Sequence, residues 1–304
     1  MSRSKGFSLV ELAVALAIIA LLLAGALIPL STQIDVRNSA DTQRGMESIR
    51  DAIVGFAQAN GRLPCPANGA TPAGTVDTTT WFTAVGAGAE QWDPPNNRCY
   101  TAFGVVPWTT LGVAETDAWG RRFSYRVSPA FADGFAAVPP TWSTTTGTSP
   151  ASAGNQNPAC TPNPTPTSPT TFALCTLGDI AVWTRGGATT TATPLGTALP
   201  AVIISHGKNG FGAWQTNGIR IAPVPASNDE AANVNGGAPS AIPAGSHTSW
   251  AFYSRTRTPA AAGCVDPPPG APLNTAPACE FDDIVLMISS NTLIARMVAA
   301  GRLP

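Results

Sequence analysis

Lysine is almost missing from this chain of 304 residues, which has only Lys5 and Lys208, and charged residues of all kinds make up 12%. That is about half the ordinary share. With a formal net charge of −1, there is no global basic field to draw nucleic acid and no acidic tail. No two of the six cysteines, at 65, 99, 160, 175, 264 and 279, are spaced as C-x-x-C. This argues against a zinc ribbon, a thioredoxin-type redox motif and a haem attachment site. Also absent are G-x-S-x-G, H-E-x-x-H, a P-loop and a dinucleotide-binding glycine pattern. The only histidines are His206 and His247, expected as turn or surface residues. Ser205 and His206 are sequence neighbours, a poor arrangement for a nucleophile and its base. The chain is therefore expected not to be an enzyme.

Glycine and proline are plentiful, at 29 each, and with the Thr/Ser/Ala stretches they indicate many turns around a compact core. An even number of cysteines with local spacings suits disulfides in an oxidising compartment. Sequential pairing, Cys65–Cys99, Cys160–Cys175 and Cys264–Cys279, is the expectation, although six cysteines allow 15 connectivities.

The N-terminus carries the longest apolar run. From Leu12 to Ile28 no side chain is charged or polar, and with Phe7 to Val10 added the length reaches the ~20 residues of a membrane-spanning helix. Arg3 and Lys5 precede it, which leaves the short N-terminus in the cytoplasm and exports the rest. Three readings compete. One is a secretory signal peptide cut near Ala24-Gly25-Ala26. Another is a plain anchor. Neither explains Glu11, a carboxylate inside an apolar run, where burial in lipid is costly.

The third reading accounts for it. Lys5-Gly6-Phe7-Ser8-Leu9-Val10-Glu11 closely resembles the leader and mature N-terminus of the type IV pilin superfamily, which includes the type II secretion pseudopilins. The resemblance implies cleavage by prepilin peptidase between Gly6 and Phe7 and N-methylation of Phe7. Glu11 becomes the fifth mature residue, whose carboxylate answers the new amine on a nearby subunit and sets register during assembly. A glutamate that merely snorkels to the interface is the plainer alternative. Gly25 and Pro29 lie on the same stretch, out of the register commonest in the family, and Pro29 is expected to kink or locally melt the helix.

Beyond Pro29 the pattern turns amphipathic: Met46, Ile49, Ile53 and Phe56 recur at helical steps, and Asn60-Gly61 before Pro64 reads as a stop. One helix is expected from about Ser8 to Asn60. Strands are expected at 123–127, 180–184, 201–205, 250–254 and 283–288, with a short helix over 290–304. The tract 139–171 reads as a solvated loop, or alternatively as a carrier of O-glycans. Arg121, Arg122 and Arg126 could touch DNA phosphates, but a solvated strand face is the simpler reading, and no nucleic acid is expected.

A weaker resemblance continues into this region. Pro107-Trp108-Thr-Thr-Leu111-Gly and Asp117-Ala-Trp119-Gly120 are similar to the segment ahead of the first strand in major pseudopilins, with Ala118 in place of a proline. The 206–210 turn with Asp282 and Asp283 loosely echoes that family's calcium loop. The resemblance makes calcium the candidate ion there, although Lys208 is an unwelcome neighbour; capping of the turn by either aspartate is the alternative, and no other cofactor is expected.

The expected fold is α+β and pilin-like: a leader (1–6), a transmembrane half-helix (7–30), an amphipathic half (31–60) and an exported antiparallel β-domain with long loops (61–304). The implied function is that of a subunit of a type IV pilus or type II secretion pseudopilus, its bulk suiting a minor one. It would sit in the bacterial inner membrane with its C-terminal domain in the periplasm until assembled. Its partners would be prepilin peptidase, other pilin or pseudopilin subunits and the inner-membrane assembly machinery. The alternatives are an adhesin or DNA-uptake pilin, and an exported enzyme with a borrowed anchor.

Overall fold

The computed structural model describes residues 8–78, 85–134, 170–185, 192–222, 227–241, 248–266 and 276–303, without the side chains of 22–32, 238–241 and 248–249. Most of the 139–171 tract, and with it Cys160, lies outside these residues, as do Gly6, Phe7 and His247. The chain divides into two compact units, Met1–Asp41 and Thr42–Pro304.

A single helix, α1 (Leu9–Asn60), runs through 52 residues. It continues through Pro29, where a kink or local melting was expected, so the helix does not melt there; one proline removes one backbone donor, and the rungs on either side carry the helix on. The helix stops where the sequence indicated: Gly61 takes φ 73°, a left-handed conformation that glycine adopts at little cost. Side chains from Leu9 to Leu21 are exposed, Leu9 at 85% and Leu21 at 76%. Among the described residues no helix is long and apolar enough to cross a membrane. Only part of the 12–28 run, up to Leu21, has described side chains.

The second unit begins within α1 and continues through short elements: β1 (Val76–Asp77), β2 (Val85–Gly86), β3 (Trp92–Asp93), β4 (Arg98–Cys99), β5 (Phe103–Val105), α2 (Trp108–Leu111), β6 (Ser124–Val127) and α3 (Pro129–Ala132). Then come β7 (Ile180–Thr184), β8 (Thr193–Leu199), β9 (Ala201–Ser205), α4 (Asn228–Val234), β10 (Ala238–Ala241), β11 (Thr248–Tyr253), β12 (Ile284–Ile288) and α5 (Ser290–Ala299). The five expected strands correspond to β6, β7, β9, β11 and β12, and the expected C-terminal helix to α5. One sheet, ordered β12-β9-β6-β5, is antiparallel throughout. The other, β10-β11-β7-β8, contains one parallel pair, β7 with β11. The expectation of a purely antiparallel domain is corrected there. A parallel pair needs a crossover, and the chain supplies one through β8, β9 and α4.

Strand β9 is buried along its whole length, and its alternation explains the layering. Ile203 joins a core with Met46, Ile49 and Ile53 of α1, Phe123, Tyr125, and Leu293 and Met297 of α5. Val202 and Ile204, pointing the other way, pack with Ile180, Val182, Leu199 and Phe252 of the second sheet. The unit is thus three layers: helices, first sheet, second sheet. Disulfides join Cys65 to Cys99 and Cys264 to Cys279. Cys175 is disulfide-bonded as well.

Candidate functional site

The first site is the start of α1. Ser8 N donates to Glu11 Oε2 at 2.9 Å, and Glu11 N donates to Ser8 Oγ at 3.2 Å. This reciprocal pair is a capping box, which satisfies two backbone donors at a helix start. The S-x-x-E signature is written in the heptapeptide, yet the reading of Glu11 as an assembly residue passed over it. Within its own chain, Glu11 therefore holds the helix end one residue from the Gly6-Phe7 junction.

The second site lies where β9, α4 and β12 converge. Carboxylate oxygens of Glu230, Asp282 and Asp283 lie within 4.8 Å of one another. Asp282 Oδ2 accepts from Asn209 N at 2.8 Å, and Glu230 Oε1 accepts from Asp282 N at 2.8 Å. Asp283 Oδ2 accepts from Asn233 Nδ2 at 2.8 Å. Asp282 thus caps the 206–210 turn as the alternative reading had it, but its Oδ1 is buried without a hydrogen-bond partner. Gly207, at φ 57°, makes room: a Cβ there would come within 2.6 Å of that Oδ1. Burial raises the pKa of Glu230, and the charge of Asp283 raises it further. Asp282 is also raised, chiefly by burial. Packing three carboxylates this closely stabilises protonation unless a cation sits among them. Hard oxygen donors suit calcium, and Lys208 beside them is exposed. Sequence reasoning missed Glu230, although Ser227-Asn228-Asp229-Glu230 carries the same S-x-x-E signature. Ser227 does cap α4, accepting from Glu230 N at 3.2 Å.

His206 is no surface residue: it is 1% exposed. Its Nε2 meets Ser124 Oγ at 2.7 Å, and its Nδ1 stands 3.6 Å from Asp283 Oδ1. The order Ser, His, Asp matches a hydrolase triad in type, but Ser124 is only 3% exposed, inside the sheet where no substrate carbonyl can reach it. Ser205, the sequence neighbour, instead donates to Asp117 Oδ2 at 2.6 Å.

The arginine cluster is the clearest correction. Arg122 is 0% exposed, bonded to Glu115 Oε1 at 2.7 Å and to the carbonyls of Gly69 and Thr71. Arg126, 5% exposed, lies between the sheets with Asp179 at 3.4 Å and its guanidinium over Trp250. Arg121 binds the carbonyl of Gly207. The expected solvated face is an inward-facing set. Carbonyls, carboxylates and indoles meet these guanidiniums, although Arg126 Nε is buried without a partner; strand periodicity alone reports none of this.

The chain thus has a long helix with a capped start and exposed apolar side chains from Leu9 to Leu21, followed in sequence by a layered α+β unit. Residues 1–27 match the family described as the prokaryotic N-terminal methylation motif. The chain therefore carries the prepilin cleavage signal of type IV pilins and pseudopilins. No curated protein and no solved structure matches the chain.

Proposed function

We propose that this chain is a structural subunit: cut by prepilin peptidase between Gly6 and Phe7, methylated at Phe7, and packed through α1 into a type IV pilus or type II secretion pseudopilus. The observation that carries the reading is the pairing of the methylation motif at 1–27 with a helix whose apolar side chains from Leu9 to Leu21 are left exposed. Moving such a flank from water into lipid is worth ~25 cal/mol per Å²; among neighbouring helices, van der Waals packing holds it. The membrane passage of 7–30, the periplasmic placement of the β-domain and the role as a minor subunit belong to this proposal. Long loops and extra bulk are tolerated most easily in a low-copy position. Mass spectrometry of the mature N-terminus tests it: N-methyl-Phe7 is expected, and a chain beginning at Leu27 would refute it in favour of a secreted protein.

A second reading concerns the acidic cluster. Glu230, Asp282 and Asp283 would hold a calcium ion whose charge offsets their mutual repulsion and locks the 206–210 turn to α4 and β12. The orphaned Oδ1 of Asp282 favours this over capping alone.

A further inference from the structure

A cleft of about 190 Å³ opens in the layered unit, away from the acidic cluster, with Gln91, Thr101, Phe103, Trp214 and Arg220 among its walls. That volume lies below the usual range for drug-sized ligands and suits one sugar ring. Its walls are fixed from behind. Gly69 abuts the Trp214 indole so closely that a Cβ would come within 2.4 Å of Cδ1, and the Gly69 carbonyl is tied to buried Arg122 at 2.8 Å.

Arg220 is the unusual member. Its Nε donates to Gly212 O and its Nη2 to Val234 O, both at 2.9 Å, and its guanidinium lies 5.3 Å from the Trp214 ring centroid. Among the described residues no carboxylate pairs with it, whereas Arg62, Arg98, Arg122 and Arg126 each have one. Arg220 is exposed at the surface, and partial desolvation lowers its pKa with no carboxylate opposing the shift, whereas Asp179 offsets full burial at Arg126. The bonds to carbonyls orient the guanidinium and leave the Nη1 N–H donors for a carboxylate oxygen.

The other polar walls are acceptors. Gln91 gives its Nε2 to Asp77 at 2.7 Å, which leaves Oε1 for a donor. Thr101 Oγ1 donates to Phe103 O at 2.9 Å and accepts from Phe103 N at 3.2 Å, so one lone pair remains to accept from a ligand. Phe103 adds an apolar wall for the C–H face of a ring.

We infer that this cleft binds a hydroxylated carboxylate of monosaccharide size, a sugar acid, with its carboxylate on Arg220 and its hydroxyls on Gln91 and Thr101. The inference is independent of how the N-terminus is processed. Calorimetry on the full chain in detergent, with D-galacturonate as the probe and galactose and acetate as controls, tests it. Saturable galacturonate binding is expected, weakened by added salt, with each control about tenfold weaker, the factor for losing one charged or several neutral hydrogen bonds. Arg220→Gln should lose about tenfold, and Arg220→Lys, which keeps charge without the fork, less. No saturable binding by the wild-type chain would overturn the inference, as would galactose or acetate matching galacturonate. The wild-type comparisons decide the matter even if the variants misfold.

Discussion

One pair of substitutions separates the helix cap seen at Glu11 from the assembly role proposed for it. Its carboxylate closes the capping box with Ser8, and its charge is available to the amine that cleavage would create at Phe7. Glutamine at this position preserves a capping box, whereas alanine removes the half that Glu11 supplies. If charge drives assembly, Glu11→Gln and Glu11→Ala should both be cleaved and methylated yet fail to enter filaments, as read by shearing and immunoblot. Normal assembly of Glu11→Gln alone would reduce the residue to a helix cap. Asp133 offers a separate test. It is buried, its Oδ1 accepts from Cys99 N at 2.8 Å, and its Oδ2 has no partner. Burial raises its pKa from the ordinary 3.8 to about 7. A carboxyl with a raised folded-state pKa keeps a proton that the unfolded chain has released, so stability falls as pH rises from about 4 to about 7. Asp133→Asn should flatten that decline, gaining roughly 2–4 kcal/mol at pH 8 relative to pH 4 in urea unfolding. An unchanged pH profile would contradict the assignment.

The layering of helices and sheets rests on the alternation of β9 and the inward stripe of α1. Ile53 is 0% exposed and packs in the helix-facing core. Its truncation leaves a cavity that neither sheet nor helix can easily close. Ile53→Ala should cost about 2–5 kcal/mol, measured by denaturant unfolding, without altering cleavage at the N-terminus. The reason is that the signal is read at 1–27 while the damage is confined to the second unit. Helix ends and strands were largely legible because each rests on local chemistry: Asn60-Gly61 on a left-handed stop, AVIIS on a run of β-branched residues. Strand β8, with Gly196 and two bulges against β7, lacked that local signal. Its place comes from pairing with a neighbour, which no window of sequence contains.

Across the whole molecule, the acidic cluster couples parts of the chain far apart in sequence, and a bound cation would stabilise only the folded arrangement. Saturating calcium should raise the melting temperature by several degrees at pH 8, a gain of about 2–3 kcal/mol at a hundredfold excess over Kd. The gain should be smaller at pH 5, because the ligands must first lose their protons. Glu230→Gln should abolish most of it. A melting temperature indifferent to calcium and to a chelator at pH 8 would leave Asp282 as a turn cap and nothing more.

By itself, the sequence determined the features that depend on neighbours along the chain: the cleavage signal, the apolar run, the helix stop at Gly61 and the main strands, while the pairings Cys65–Cys99 and Cys264–Cys279, two among many that six cysteines allow, were fixed by the fold. Only the tertiary structure decided which charges turn inward. Arg122 and Arg126 read as solvated because a guanidinium alone is expensive to bury, and they are buried because distant carbonyls, Glu115 and Asp179 meet them there. Glu230 joined Asp282 and Asp283 for the same reason: the energy of a buried charge is set by groups brought near in space, and the order of residues does not encode that distance.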